Sequence, residues 1–133
     1  MILKPLLSGA ALICFLVLGC GHSSAPLLGK VAGIVTMDGQ PLSNATVMFQ
    51  PASGRPSSGI TDSSGHYTLE YTQGLEGATL GEHQVIIRTE IAGADGEPPK
   101  QKELLPPKYN NNSELTANVI RGQNTCNFTL MSK

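Results

Sequence analysis

Thr61-Asp62-Ser63-Ser64-Gly65-His66-Tyr67-Thr68-Leu69 reads as a tight turn that feeds a strand. The Asp62 side chain can bond its own backbone two residues on, and Gly65 can adopt the positive φ that closes such a turn. Tyr67, Leu69 and Tyr71 then fall on one face at the two-residue period of a strand. A second turn of the same kind lies upstream in Val35-Thr36-Met37-Asp38-Gly39-Gln40-Pro41-Leu42, where Asp38-Gly39 is a hairpin signal. Turns of this kind between alternating runs predict a small antiparallel β domain, with Asp38, Gly39, Asp62 and Gly65 as its structural turn residues.

Further strands follow on either side. Lys30 to Met37 alternates, with Val31, Gly33, Val35 and Met37 on one side. Ala45 to Gln50 does the same with Ala45, Val47 and Phe49. Pro51 to Ser58 reads as a loop, Gly59-Ile60-Thr61 as a short third strand, Tyr67 to Thr72 as the fourth, and Gln73 to Thr79 as a Gly-rich loop. Glu82 to Glu90 is the longest run. Val85 and Ile87 face one way and Ile86 the other, which predicts a strand inside a sheet. Glu114 to Ile120 and Thr125 to Met131, joined by Arg121-Gly122-Gln123-Asn124, predict a terminal hairpin. Its inward rows are Leu115, Ala117, Val119 and Cys126, Phe128, Leu130. Seven short strands without a helical period after Cys20 predict an all-β, seven-stranded Greek-key β-sandwich.

Composition narrows the partners. The 133 residues carry a formal charge of −1 and only 5% aromatic residues, with no Trp. No basic stripe is present, which argues against nucleic acid. Ile91 to Ser113 has no period, and a loop of that length in a compact domain is either functional or poorly ordered. It could hold an envelope protein, peptide or glycan, with Tyr109 as an aromatic anchor and Lys100, Lys102 and Lys108 as cations; Arg55 could contribute from the other end. Catalysis would need His66 and His83 to converge on a cleft with an Arg. No His-Glu-x-x-His or His-x-x-Glu pattern occurs, and Asp62 alone is too few carboxylates for calcium. No metal, cofactor or catalytic residue is expected.

The N-terminus supplies an address. Met1 to Lys4 carries one positive charge, Leu6 to Leu18 is an almost unbroken apolar run, and Gly19 and Cys20 follow. This describes a secretory signal segment, too short for a comfortable membrane span. Val17-Leu18-Gly19-Cys20 resembles the lipobox of bacterial lipoproteins, although smaller or β-branched residues are commoner where Leu18 stands. The resemblance implies a diacylglyceryl group on the Cys20 sulfur and cleavage just before it. Residues 1–19 are then a signal peptide, helical in type, 20–29 a flexible tether, and 30–133 the sandwich. Two or three acyl chains hold a protein firmly where one does not. The expected location is a bacterial membrane, facing the periplasm or the cell surface. Without Lys4 the mature chain has eight basic and ten acidic side chains and is near −2. With Cys20 acylated, Cys126 has no disulfide partner and is expected to be a small buried hydrophobe.

The segments Gly33 to Leu42, Asn44 to Phe49, Thr61 to Leu69 and Gly81 to Val85 together resemble carboxypeptidase regulatory-like domains, which share the transthyretin-like (prealbumin-like) sandwich. The likeness runs from about Lys30 to Leu130, and Leu105 to Asn110 is similar to the version found in small bacterial lipoproteins. It implies a non-enzymatic module, structural or accessory in the cell envelope. A relative of transthyretin hydrolyses hydroxyisourate and ends in Tyr-Arg-Gly-Ser, whereas this chain ends Leu130-Met131-Ser132-Lys133. Pilin-type sandwiches crosslink a first-strand Lys to a last-strand Asn beside an acid. Lys30, Asn127 and Glu70 would have to fill those roles, but Lys30 stands at the start of its strand.

Overall fold

The computed structural model describes residue 19 and residues 25–133; residues 1–18 of the signal segment, Cys20 and residues 21–24 lie outside the described residues. Twelve strand segments follow in order: β1 (Leu28–Met37), β2 (Gln40–Pro41), β3 (Thr46–Pro51), β4 (Ser57–Ile60), β5 (His66–Thr68), β6 (Glu70–Thr72), β7 (Leu75–Glu76), β8 (Ala78–Thr79), β9 (Gly81–Arg88), β10 (Thr116–Val119), β11 (Gln123–Thr125) and β12 (Phe128–Leu130). They form two sheets, so the all-β sandwich expected from the strand pattern is the fold.

Sheet I is built on β1. Ala32 pairs with both Thr68 and Thr125, and Thr36 with both Pro41 and Thr129, so β1 has partners along both edges. β2, β5 and β8 join it antiparallel, β11 and β12 parallel. Sheet II is antiparallel throughout, in the order β10-β9-β3-β4-β6-β7. The interior position expected for the longest strand is met, since β9 lies between β3 and β10.

The two turns fold as their chemistry dictates. Asp38 and Gly39 both take positive φ, 51° and 82°, the geometry a two-residue hairpin needs. Asp62 Oδ1 accepts the N–H groups of Ser64 at 2.9 Å and His66 at 3.0 Å, and Gly65 sits at φ 74°. The Gly65 carbonyl accepts the Val35 N–H at 2.8 Å, tying the second turn to the end of β1.

Inward residues meet between the sheets. Val31, Val35, Tyr67, Phe128 and Leu130 from sheet I pack with Val47, Phe49, Val85, Ile87 and Val119 from sheet II. Phe49 meets Phe128 edge-on at 6.3 Å, and Tyr67 lies over Phe128 at 6.5 Å. Such pairs are worth about 1 kcal/mol beyond area burial. The Tyr67 hydroxyl donates to the Cys126 carbonyl. Burial, with the nearby Cys126 adding to it, holds that hydroxyl well above the usual tyrosine range.

Several sequence expectations change. The terminal hairpin does not form: β10 pairs antiparallel with β9 in sheet II, while β11 and β12 cross to sheet I and lie parallel to β1. Alternation reports which face is apolar and says nothing of which edge a strand joins. The run Tyr67 to Thr72 is split, with β5 on β1, β6 on β4, and buried Leu69 at the crossing between sheets. Gln73 to Thr79 is not loop throughout but holds β7 and β8. The third strand is Ser57–Ile60, and β1 already begins at Leu28, inside the expected tether. Cys126 is only partly buried, and that burial raises its thiol pKa.

Candidate functional site

β1 runs the length of the sandwich and gives it two ends. The near pole is where the chain enters, at Leu27 and Leu28. The far pole holds the Asp38-Gly39 hairpin, the Asp62–Gly65 turn and the segment from Thr89 to Ser113. That segment, expected to be irregular, is tied down by its own polar groups.

Its principal tie is Glu103. The carboxylate accepts the Thr89 N–H at 3.0 Å, the Leu105 N–H at 3.1 Å and the Glu90 N–H at 3.3 Å. It also accepts the Thr89 hydroxyl at 2.7 Å, and Thr89 Oγ1 in turn accepts the Leu104 N–H at 2.6 Å. Burial pushes the Glu103 carboxyl upward, but the combined donors outweigh it and hold the group below its ordinary value. Beside it, the Gln101 side-chain amide donates to the Thr89 carbonyl, and Ile91 and Gln101 form a bridge with the Ile91 N–H 3.0 Å from the Gln101 carbonyl. Residues 92–100 are thus an Ω-loop on a closed neck. Below the neck, Leu105, Tyr109 and Asn110 are buried, and the Asn110 amide donates to the Ile87 and Pro106 carbonyls at 3.4 and 3.3 Å. A short 3-10 turn, Pro107–Tyr109, carries the ring inward.

The expected partner-binding residues are therefore separated. Tyr109 is a correction: at 8% exposure it belongs to the core, and its hydroxyl accepts the Met131 N–H at 3.0 Å. Pro106 and Pro107, which open the 3-10 turn, and the apolar Leu105 drive it there. Lys108 is half-buried over that ring, 5.2 Å from its centroid. Lys100 and Lys102 are exposed beside the Ω-loop neck. Arg55 is exposed elsewhere, with Nε donating to the Tyr71 carbonyl at 2.9 Å and the guanidinium 6.0 Å from the Tyr71 ring. Asp38 and Gly39 sit at the far pole, where Asp38 Oδ1 accepts the Ser132 N–H at 2.9 Å. Bonding to Ser132 lowers the Asp38 pKa. Cys20 lies outside the described residues.

The two histidines are not brought together. His66 is exposed on β5 in sheet I. His83 is buried on β9 in sheet II, with Nε2 donating to the Thr79 carbonyl at 2.7 Å and its ring 5.7 Å from that of Phe49. Lys30, Glu70 and Asn127 do not meet as a crosslink would require. Lys30 Nζ pairs with Glu76 at 3.9 Å, and Asn127 Oδ1 accepts the Ile34 N–H at 2.9 Å. The Asp62 carboxylate is spent on its turn, and no cluster of three potential metal ligands occurs among the described residues.

An open groove of about 510 Å³ runs over the outer face of sheet II, lined by Gln50, Glu82, Gln84, Glu114 and Thr116. Its chemistry is hydrogen bonding by carboxylates and carboxamides. His83 borders the groove too, but strand alternation turns its ring toward the core, 5.7 Å from that of Phe49.

Glu103, Thr89 and Asn110 were not legible beforehand. Glu103 reads as one charge in Lys100-Gln101-Lys102-Glu103, and Asn110 as one of three consecutive asparagines. The available signal was an accounting one: a strand end wrapped by a long loop must find acceptors for its N–H groups.

No family model and no curated protein matches the chain. Among solved structures, it is similar to a DUF3823 family protein from Parabacteroides merdae, with 18% identity and a TM-score of 0.45, over 80% of this chain and 47% of that one. It is also similar to a 9R-lipoxygenase from Cyanothece, with 19% identity and a TM-score of 0.40, over 81% of this chain and 17% of that one. The chain thus spans less than half the length of either.

Proposed function

We propose that this chain is a lipid-anchored, non-enzymatic accessory module of a bacterial cell envelope. Acylated Cys20 holds it to the membrane, and the sandwich is of the carboxypeptidase regulatory-like, transthyretin-like type. The observation that carries the reading is Val17-Leu18-Gly19-Cys20 at the end of an apolar run, a few residues ahead of an independent β fold that begins at Leu28. The intact mass of the protein from its native membrane tests it. A chain beginning at Cys20 with added acyl mass is expected, and Cys20→Ala or globomycin should leave the unprocessed precursor. A free Cys20 thiol, with processing unchanged by both treatments, would refute the anchor.

A second reading is favoured by the neck at Glu103. An Ω-loop held on its own hydrogen-bonded base is preorganised, and preorganised loops bind with less ordering cost. In this reading residues 92–100, which end in Lys100, together with Lys102 engage an envelope protein or glycan. Pull-down from solubilised envelopes, with and without those residues, tests it: a partner retained equally by both forms sinks it.

A further inference from the structure

The near pole carries aliphatic side chains that the fold leaves uncovered. Leu27 is 60% exposed, Leu80 37% and Ile120 59%. They come from three separate places in the chain, and register brings them together. Leu28 pairs with Thr79, the residue before Leu80. Val119, the residue before Ile120, pairs with Gly81, the residue after Leu80. Gly29 lies so close to the Ile120 carbonyl that an added Cβ would fall 2.1 Å from it. The ends of β1, β8, β9 and β10 thus converge near the point where the chain enters.

This end is rigid. Asn124 donates to the carbonyls of Lys30 at 3.0 Å and Ile120 at 2.8 Å, and its Oδ1 accepts the Ile120 N–H at 3.0 Å. Ile120 is therefore held outward on a fixed turn. Arg121, beside it, is exposed; Lys30 is exposed too but pairs with Glu76 at 3.9 Å. An aliphatic cluster with an adjacent cation is the composition of a surface that rests in a lipid interface.

The length of chain ahead of the fold decides the occupant. Seven residues, Gly21 to Leu27, separate Cys20 from β1. Fully extended they reach about 25 Å, and a random coil of that length spans about 15 Å. An acyl anchor on Cys20 would keep this pole, rather than the far one, against the bilayer. Of the other exposed aliphatics, Ile34, Ile60, Ile91, Leu104 and Met131 lie on outer sheet faces or toward the far pole, while Leu75 lies in the β6–β7 hairpin close to Gly77 and the near pole.

We infer that the near pole is a membrane-contact face, with Leu27, Leu80 and Ile120 seated at the headgroup–acyl boundary of the same bilayer that holds the lipid anchor. The inference rests on the lipoprotein reading above. It fixes the orientation of the domain: the Ω-loop of residues 92–100 points away from the membrane.

The chain contains no Trp, so a single introduced Trp reports its own surroundings. The acylated mature protein, beginning at Cys20, is reconstituted into phosphatidylethanolamine–phosphatidylglycerol vesicles, with and without brominated acyl chains. Ile120→Trp and Leu27→Trp probe the near pole and Met131→Trp the far one; all three sites are more than half exposed and accommodate the ring. The expected result is at least threefold quenching by brominated lipid at positions 120 and 27, and none at 131. Protein that floats with the vesicles but shows no quenching at either near-pole position overturns the contact and leaves the anchor standing. Equal quenching at all three positions overturns the orientation. Protein that does not float at all overturns anchor and contact together.

Discussion

At the scale of single residues, Glu103 is the most informative side chain. Glu103→Gln keeps the shape but removes the charge that attracts the N–H groups of Thr89, Glu90 and Leu105 and the Thr89 hydroxyl. Hydrogen bonds to a charged group are worth about 1.5–3 kcal/mol. The site is partly open to solvent, so a loss of about 1 kcal/mol is expected. The pH dependence has a definite sign. The folded-state pKa is lowered, so the contribution is complete above the unfolded value near 4.5 and disappears as pH falls through the folded value. Thermal melts between pH 7 and pH 3 should therefore show the native protein losing stability below about pH 4.5. Glu103→Gln should lose less over the same range. Parallel curves would remove Glu103 from the role assigned to it. Nothing in the sequence distinguishes this carboxylate from its charged neighbours, because its worth comes from a strand end thirteen or more positions earlier. Asp62 is the opposite case: its partners are two and four residues away, so it was readable in advance.

At the scale of elements, β1 is the member on which sheet I depends, and Gly33 is where its neighbours come closest. A Cβ there would lie 1.9 Å from the Cys126 carbonyl oxygen, a backbone atom that cannot swing aside. Gly33→Ala should cost about 3 kcal/mol, at the upper end of overpacking penalties. Gly39→Ala meets nothing within 4 Å and should cost about 1 kcal/mol, for its positive φ alone. Urea unfolding of the two variants separates a steric from a conformational penalty; equal midpoints would contradict the close approach. The same contact explains why the terminal strands escaped the sequence pattern. Their inward rows were right in periodicity, since Val119, Phe128 and Leu130 are buried. The choice between pairing with each other and pairing across two sheets depends on long-range fit, including the space that Gly33 opens beside Cys126.

At the scale of the whole molecule, the poles divide the labour. The near pole gathers Leu27, Leu80 and Ile120; the far pole presents an Ω-loop on its hydrogen-bonded neck. Replacing residues 92–100 by a Gly-Ser segment of equal length keeps Ile91, Gln101 and Glu103. The loop's own side chains are almost all exposed and the neck is kept, so the melting temperature should stay within about 3 °C of the native value. A fall of about 8 °C or more would mean that the loop belongs to the core rather than to display. The sequence by itself determined the all-β class, the two Asp-Gly-based turns and the inward rows of most strands, because these are local: a two-residue period, an Asx bond, a positive φ. Only the tertiary structure decided that Tyr109 is buried, that β11 and β12 lie parallel to β1, that Glu103 closes a neck, and that three distant aliphatics share one pole. Each of these is a meeting of segments far apart in the chain, where edge pairing, burial and carboxylate solvation are settled by whatever the fold brings alongside.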